Sequence, residues 1–124
     1  MKTQEIYIEK LGDSIVFTLG TSAQENFDLI DSSQPEDLWF HVEGRPSCHV
    51  VASLNDLILL REIERKDKKV VVLSIVKQGA LLCKQHSKYA SEKNLPIVYT
   101  WVKHVVKTDI VGSVNITNQK VVCI

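Results

Sequence analysis

Apolar and polar residues alternate along "EIYIEK" and again along "SIVFTLG", with "LGDS" between them. Period-two alternation is the mark of a half-buried strand, so this stretch predicts a β-hairpin. "TSAQENFDLIDSS" opens on cap-type residues and places Phe27, Leu29 and Ile30 at mixed spacing, which fits a short helix or a structured loop. "DLWFHV" returns to alternation. Leu38, Phe40 and Val42 face one way, and Asp37, Trp39 and His41 face the other. Gly44 and Pro46 in "EGRPS" break that strand, and "CHVVA" resumes an extended segment.

The pattern then changes period. Ser53 or Asn55 can cap a helix through "LILLREIERK". A second helix is expected from near Lys69 to about Glu92, with Leu73, Val76, Ala80, Cys83, Ser87 and Ala90 as its inward stripe. The β-branched opening "KKVVVLSIV" leaves a strand start open as an alternative. Asn94 and Pro96 close the element. "IVYTWV" reads as a strand, and "GSVNITNQKVVCI" as a hairpin turning at "TNQ". The predicted order is β-β-(α)-β-β-α-α-β-β-β. It implies an α+β domain, a mostly antiparallel sheet with two to three helices packed on one face.

Length and composition agree with a single domain over residues 1–124. The chain is 44% hydrophobic and 24% charged, an ordinary globular balance that excludes disorder. Cys48, Cys83 and Cys123 are odd in number and lie in apolar company, so they are expected as reduced thiols in a cytosolic or nuclear setting. "MKTQEIYIEK" is too charged for a secretory signal, and no apolar run reaches spanning length. The expected location is cytoplasmic, with no membrane contact.

Charge alters the picture more than composition does. Residues 1–62 hold four Lys and Arg against eleven Asp and Glu, a balance of −7. Residues 63–124 hold eleven against four, +7, and together they restore the neutral total. Two outcomes are open. Either the halves interleave and cancel locally, or the second half presents a basic face that could meet nucleic acid despite the neutral total.

Candidate chemistry concentrates in "PEDLWFHVEGRPSCHVV". A zinc site there would draw on Asp37, His41, Cys48 and His49, but neighbours on a strand point to opposite faces and no CxxC or HxxxH spacing is present. A Cys–His nucleophile pair needs a positioned base and an oxyanion hole, and the sequence shows neither. No metal, cofactor or catalytic residue is expected, and at least one of the two histidines reads as a half-buried group bonded to backbone or to Asp37, helping to lock the turn. On the second helix Lys77, Lys84 and Lys88 share a face, and Lys103, His104 and Lys107 follow the strand carrying Tyr99 and Trp101. Lysines beside flat side chains suit phosphate contact with base stacking, whereas a solvated helix face and packed aromatics are the plainer alternative.

Taken together, "ENFDLI", "PEDLWFHVEGRPSCHVV", "GALLCKQHSKYA", "LPIVYTWVKHVVKTDIVGSV" and "QKVVCI" resemble the RNA-binding domain of the NFACT proteins, in order and from about Leu19 to the end. The resemblance extends to the small eukaryotic members in which this domain precedes a coiled coil, although only the one domain is expected here. It implies RNA binding in a tRNA or ribosomal RNA setting, within ribosome-associated quality control on the large ribosomal subunit, and no catalysis. The basic face would comprise Lys77, Lys84, Lys88, Lys103, His104 and Lys107, with Trp39, His41, His49, Tyr99 and Trp101 as stacking or signature residues. Two departures from the family pattern stand out. Val106 and Asp109 thin a lysine-rich segment, and Ser47–Cys48 replaces a glycine before the Ser-His-Val element. Fewer phosphate contacts imply weaker binding or help from a protein partner. A protein-interaction module that competes with or assists full-length NFACT proteins is the alternative.

Overall fold

In the computed structural model, which describes residues 1–124, strands β1 (Lys2–Ile8) and β2 (Asp13–Gly20) form the first hairpin. Gly12 takes a positive φ of 75° in its turn. The register pairs Ile6 with Ile15 and Gln4 with Phe17, so one face of the hairpin carries Ile8, Ile15, Phe17 and Leu19 into the core. Helix α1 (Ala23–Ser32) follows. Its cap is Ser22, whose hydroxyl accepts from the Glu25 N–H, while the Glu25 carboxylate accepts from the Thr21 N–H and hydroxyl.

Strands β3 (Leu38–Val42) and β4 (His49–Ala52) are joined by the break at Gly44 (φ 68°). They are followed by α2 (Leu57–Arg65) and α3 (Lys68–Gln85), capped by Asp56 and Asp67. The cap of α2 is thus one residue beyond the nearer predicted position. β5 (Pro96–Trp101) leads through a short 3-10 turn, Val102–His104, to β6 (Val105–Lys107), β7 (Val114–Ile116) and β8 (Lys120–Cys123). Six strands form one sheet in the order β1-β2-β4-β3-β5-β8, every neighbour antiparallel, and β6 and β7 form a separate ribbon.

The fold is α+β. The main core of 20 buried residues lies between the sheet and helices α2 and α3, and takes Leu38, Phe40, Val42, Ile97, Val71, Ile75, Ala80 and Cys83. Helix α1 and the ribbon cover part of the opposite face. There a smaller core gathers Leu29, Trp39, Val51, Val98, Val102 and Val105. Strand alternation alone sends Trp39 to this second face and Phe40 to the first.

Three expectations are corrected. The region from Lys68 is helical throughout, but α3 ends at Gln85 rather than near Glu92. The Ser87 hydroxyl donates to the Lys84 carbonyl and accepts from the Tyr89 N–H, which closes the helix into a turn. The inward stripe uses Val71, Ile75, Val76, Gly79, Ala80, Leu82 and Cys83, while Leu73 is 48% exposed. "GSVNITNQKVVCI" is not a hairpin: β7 pairs with β6, and β8 pairs with β5. The crossing is fixed at Thr117, whose N–H donates to the His104 carbonyl and whose carbonyl accepts from the Thr100 hydroxyl. Asn118 then turns with φ 54°.

Candidate nucleic-acid interface

The site is built on the sheet face that carries α1. Its floor is three aromatic rings from adjacent strands. Trp39 and His41, two residues apart on β3, stack with ring centroids 5.7 Å apart. His49, at the start of β4, meets both edge-on, at 5.1 Å and 5.0 Å. The indole N–H of Trp39 donates to Nδ1 of His49 at 3.1 Å. Since an indole nitrogen can only donate, Nδ1 must accept, and the neutral imidazole carries its proton on Nε2. No protein group partners Nε2, yet no buried side-chain polar atom lacks a partner. The Nε2–H is therefore open to the hollow that the ring lines.

Burial also holds these rings neutral. His49 is 1% exposed, and desolvation together with the neighbouring His41 lowers its pKa to about 3. His41, half-buried, is likewise pushed below the ordinary histidine range by desolvation. Asn26 of α1 completes the frame, because its side-chain oxygen accepts the backbone N–H of His49 at 3.1 Å. Asp37 does not touch either histidine. Its carboxylate accepts the N–H groups of Leu54, Asn55 and Gln34 and so fixes the loop that follows β4.

Above this floor lies a cleft of about 500 Å³. One wall is the entry to α1, Thr21 to Ala23; a second is the segment Pro46 to Cys48; a third carries His86 and Lys88 beyond α3; Val111 to Ser113 closes the end. An adjoining hollow of about 310 Å³ shares His41, His49, Gly112 and Ser113 and reaches Trp39. Arg45 pairs with Glu92 and lies 4.6 Å above the Tyr89 ring, tying the turn after β3 to the segment after α3. Gly112 (φ 85°) passes so close to α1 that a Cβ there would stand 2.9 Å from that of Ala23.

The six cations of the expected basic face are dispersed. Lys88 is exposed at the cleft beside His86. Lys84 extends the other way to donate to the Ile124 carbonyl at 2.9 Å, and Lys77 borders a hollow with Tyr7. Lys103 pairs with Glu36 at 2.9 Å. Lys107 pairs with Asp31 at 2.6 Å and lies 5.2 Å from the Phe27 ring centre. His104 is near Asn118. In this region the acidic first half and the basic second half do interleave and cancel.

Tyr99 and Trp101 face away from the cleft, toward α3. There they line a hollow with Val72, Leu73 and Val76, rimmed by Lys68, Lys69 and Lys120. None of these three lysines belongs to the basic face expected from the sequence. The run "KDKK" was visible, but its proximity to Tyr99 depends on α3 packing, and that of Lys120 depends on the register pairing it with Tyr99. His86, which caps the C-terminus of α3, joins Lys88 in the cleft wall. No group of three or more His, Cys, Asp or Glu is arranged to hold a metal ion.

The comparison with known proteins bears on the same residues. The family model described as the NFACT protein RNA binding domain matches residues 6–118. The chain belongs to the NFACT RNA-binding domain family. Within it, the chain is 31% identical over 96 residues to a coiled-coil domain-containing protein 25 homolog of Dictyostelium discoideum, covering 77% of this chain and 43% of the relative. It is 32% identical over 91 residues to coiled-coil domain-containing protein 25 of Danio rerio, covering 73% and 40%. The chain thus spans less than half the length of these curated relatives. Among solved structures, the C-terminal part of the fibronectin/fibrinogen-binding protein from Streptococcus suis aligns with all of this chain and 45% of that one, at 20% identity and a TM-score of 0.74. That likeness establishes the shared fold. The two ends of "PEDLWFHVEGRPSCHVV", a stretch that carried the family resemblance, are the ones that meet in the floor of the cleft.

Proposed function

We propose that this domain binds RNA through the cleft above Trp39, His41 and His49. The observation that supports this most is that the segments carrying the resemblance to an RNA-binding family converge on one open cleft, with the uncancelled Lys88 on its rim. His41 offers a half-exposed ring for stacking, the Nε2–H of His49 a fixed donor, and Lys88 the positive charge for phosphate, with the His86 ring beside it. In this reading the domain acts by binding, as its membership of an RNA-binding family supports. The setting we propose is tRNA or ribosomal RNA on the large ribosomal subunit, in translation or ribosome-associated quality control in the cytoplasm. No helix is long and apolar enough to cross a membrane.

The test is binding to tRNA and to ribosomal subunits over a salt series. With Lys103 and Lys107 paired and Lys77 and Lys84 directed elsewhere, we expect about one or two phosphate contacts at the cleft and a log–log slope of roughly −1 to −2. Absence of binding at low salt would remove the RNA reading. It would favour protein docking, which the hollow of Tyr99, Trp101, Val72 and Leu73 with its lysine rim supports. That second reading predicts capture of an acidic partner, lost when Trp101 and Lys120 are replaced.

A further inference from the structure

Cys48 and Cys83 are 35 residues apart in the chain, yet their side chains meet. The Cys48 thiol points to the Cys83 carbonyl at 3.9 Å, and the Cys83 thiol points to the Cys48 carbonyl at 3.8 Å. In such a reciprocal pair each thiol reaches the other residue's backbone, so the two side chains converge on one another. The residues differ in access. Cys48 is half-buried and lines the cleft, whereas Cys83 is fully buried on α3, and Cys123 is exposed on β8. We propose that Cys48 and Cys83 are a peroxide-responsive pair that closes to a reversible disulfide and locks one wall of the cleft to α3.

The local chemistry assigns the roles. Cys48, half-buried at the cleft, is the sulfur that peroxide reaches, and a hydrogen bond from Cys83 holds its thiol below the ordinary cysteine range. The same neighbour and burial push Cys83 upward, which keeps it protonated until it is used. Hydrogen peroxide is the oxidant. The Cys48 thiolate attacks one peroxide oxygen, the O–O bond breaks, and the other oxygen leaves as water, taking up the proton that Cys48 released. Cys48 is now a sulfenic acid. The Cys83 sulfur attacks it, the S–S bond forms, the S–O bond breaks, and hydroxide leaves as a second water with the Cys83 proton. The two thiols together lose two electrons and two protons, and peroxide is reduced to two waters. Ordinary cellular thiols reverse the bond by exchange.

The consequence for RNA rests on the function proposed above; the disulfide itself does not. A bond of about 2 Å replaces a longer non-bonded contact, so it draws Cys48 toward α3. Ser47, whose hydroxyl accepts the Val42 N–H, and His49, which donates its N–H to Asn26, flank the displaced residue. The wall built on the reduced geometry is shifted, and RNA affinity is expected to fall roughly three-fold or more.

The experiment uses the chain with Cys123→Ser, which removes intermolecular disulfides, treated with hydrogen peroxide. The expected product has lost two hydrogens by intact mass, gives a Cys48–Cys83 cross-linked peptide, and returns to the thiol form with dithiothreitol. Its Tm rises by roughly 5–15 °C, because the unfolded chain is closed into a loop. Neither Cys48→Ser nor Cys83→Ala forms the product, and Cys48→Ser is the half-buried position that keeps the control folded. Accumulation of oxygen adducts on Cys48 without the cross-link overturns the proposal. An oxidised protein that binds RNA as tightly as the reduced one overturns the regulatory half. If the reduced protein binds no RNA, the proposed function fails, while mass and Tm still decide the disulfide.

Discussion

The Trp39 indole N–H bonded to Nδ1 of His49 at 3.1 Å joins two neighbouring strands through their side chains, on the face away from the main core. Both residues are 1% exposed, so neither polar atom has water to replace the other. Trp39→Phe removes the donor, leaves a buried acceptor unpaired and opens a void. We expect a loss of about 2–4 kcal/mol of stability in urea unfolding. A midpoint within a few tenths of a molar of the parent would show that the bond contributes nothing.

The same histidine sets an acid limit on stability. In the unfolded chain His49 takes up a proton near pH 6.5, but in the fold it resists protonation down to about 3. Between those values the unfolded state binds the extra proton, so stability is fully present above 6.5 and falls as pH drops toward 3. The slope from this side chain is up to about 1.4 kcal/mol per pH unit. Glu25, held at about 2 by its bonds from Thr21 and the chain N-terminus, adds stability that is present above 4.5 and lost as pH falls toward 2. Tm against pH should flatten between pH 6.5 and 4.5 in His49→Gln, and below 4.5 in Glu25→Gln. An unchanged profile in either variant would assign the acid sensitivity elsewhere.

Gly79 lies mid-helix in α3 because Phe40 occupies the space beside it. A Cβ there would stand 2.4 Å from Cζ of the Phe40 ring and 2.5 Å from Cε1. In an open position Gly→Ala would stabilise a helix by about 1 kcal/mol. Here the overlap with a fully buried ring should outweigh that gain, for a net loss of roughly 1–3 kcal/mol. Phe40→Leu in the same chain should recover part of it. Thermal unfolding of the single and double variants is the check, and a more stable Gly79→Ala would refute this packing.

The lysine pairings predict an unusual direction for charge variants. Lys88→Ala should weaken RNA binding and reduce the salt slope by about one, since that ammonium is uncancelled at the cleft. Lys103→Ala with Lys107→Ala should change the slope less, because Glu36 and Asp31 already neutralise them. Conversely, Glu36→Gln with Asp31→Asn frees both ammoniums and should tighten RNA binding at low salt. These exposed pairs contribute at most about 1 kcal/mol each to folding, so the protein should remain folded throughout. Filter binding of the three variants at two salt concentrations separates the outcomes.

Much of the fold was legible because the relevant signals are local. Alternation in "DLWFHV" assigned Phe40 to one core and Trp39 with His41 to the other face, as observed. The cap-type start of "TSAQENFDLI" corresponds to the Ser22 and Glu25 bonds that open α1. The helix end at Gln85 was not legible, since the apolar periodicity runs on to Ala90 and only the Ser87 hydroxyl bonds interrupt it. The end of the chain misled for another reason. "GSVNITNQKVVCI" has the composition of a hairpin, but each half found a better partner in a strand made earlier.

Sequence alone determined the alternation of the strands, the separation of charge between the two halves, and the family signature on Trp39, His41 and His49. These are properties of neighbours in the chain, readable from side-chain period and order. Only the tertiary structure decided that Tyr99 and Trp101 face α3 and not the cleft, that Glu36 and Asp31 cancel Lys103 and Lys107, and that Cys48 meets Cys83. Such meetings depend on strand order and helix packing, which bring together residues tens of positions apart. No local periodicity encodes which partner a side chain will find across the sheet.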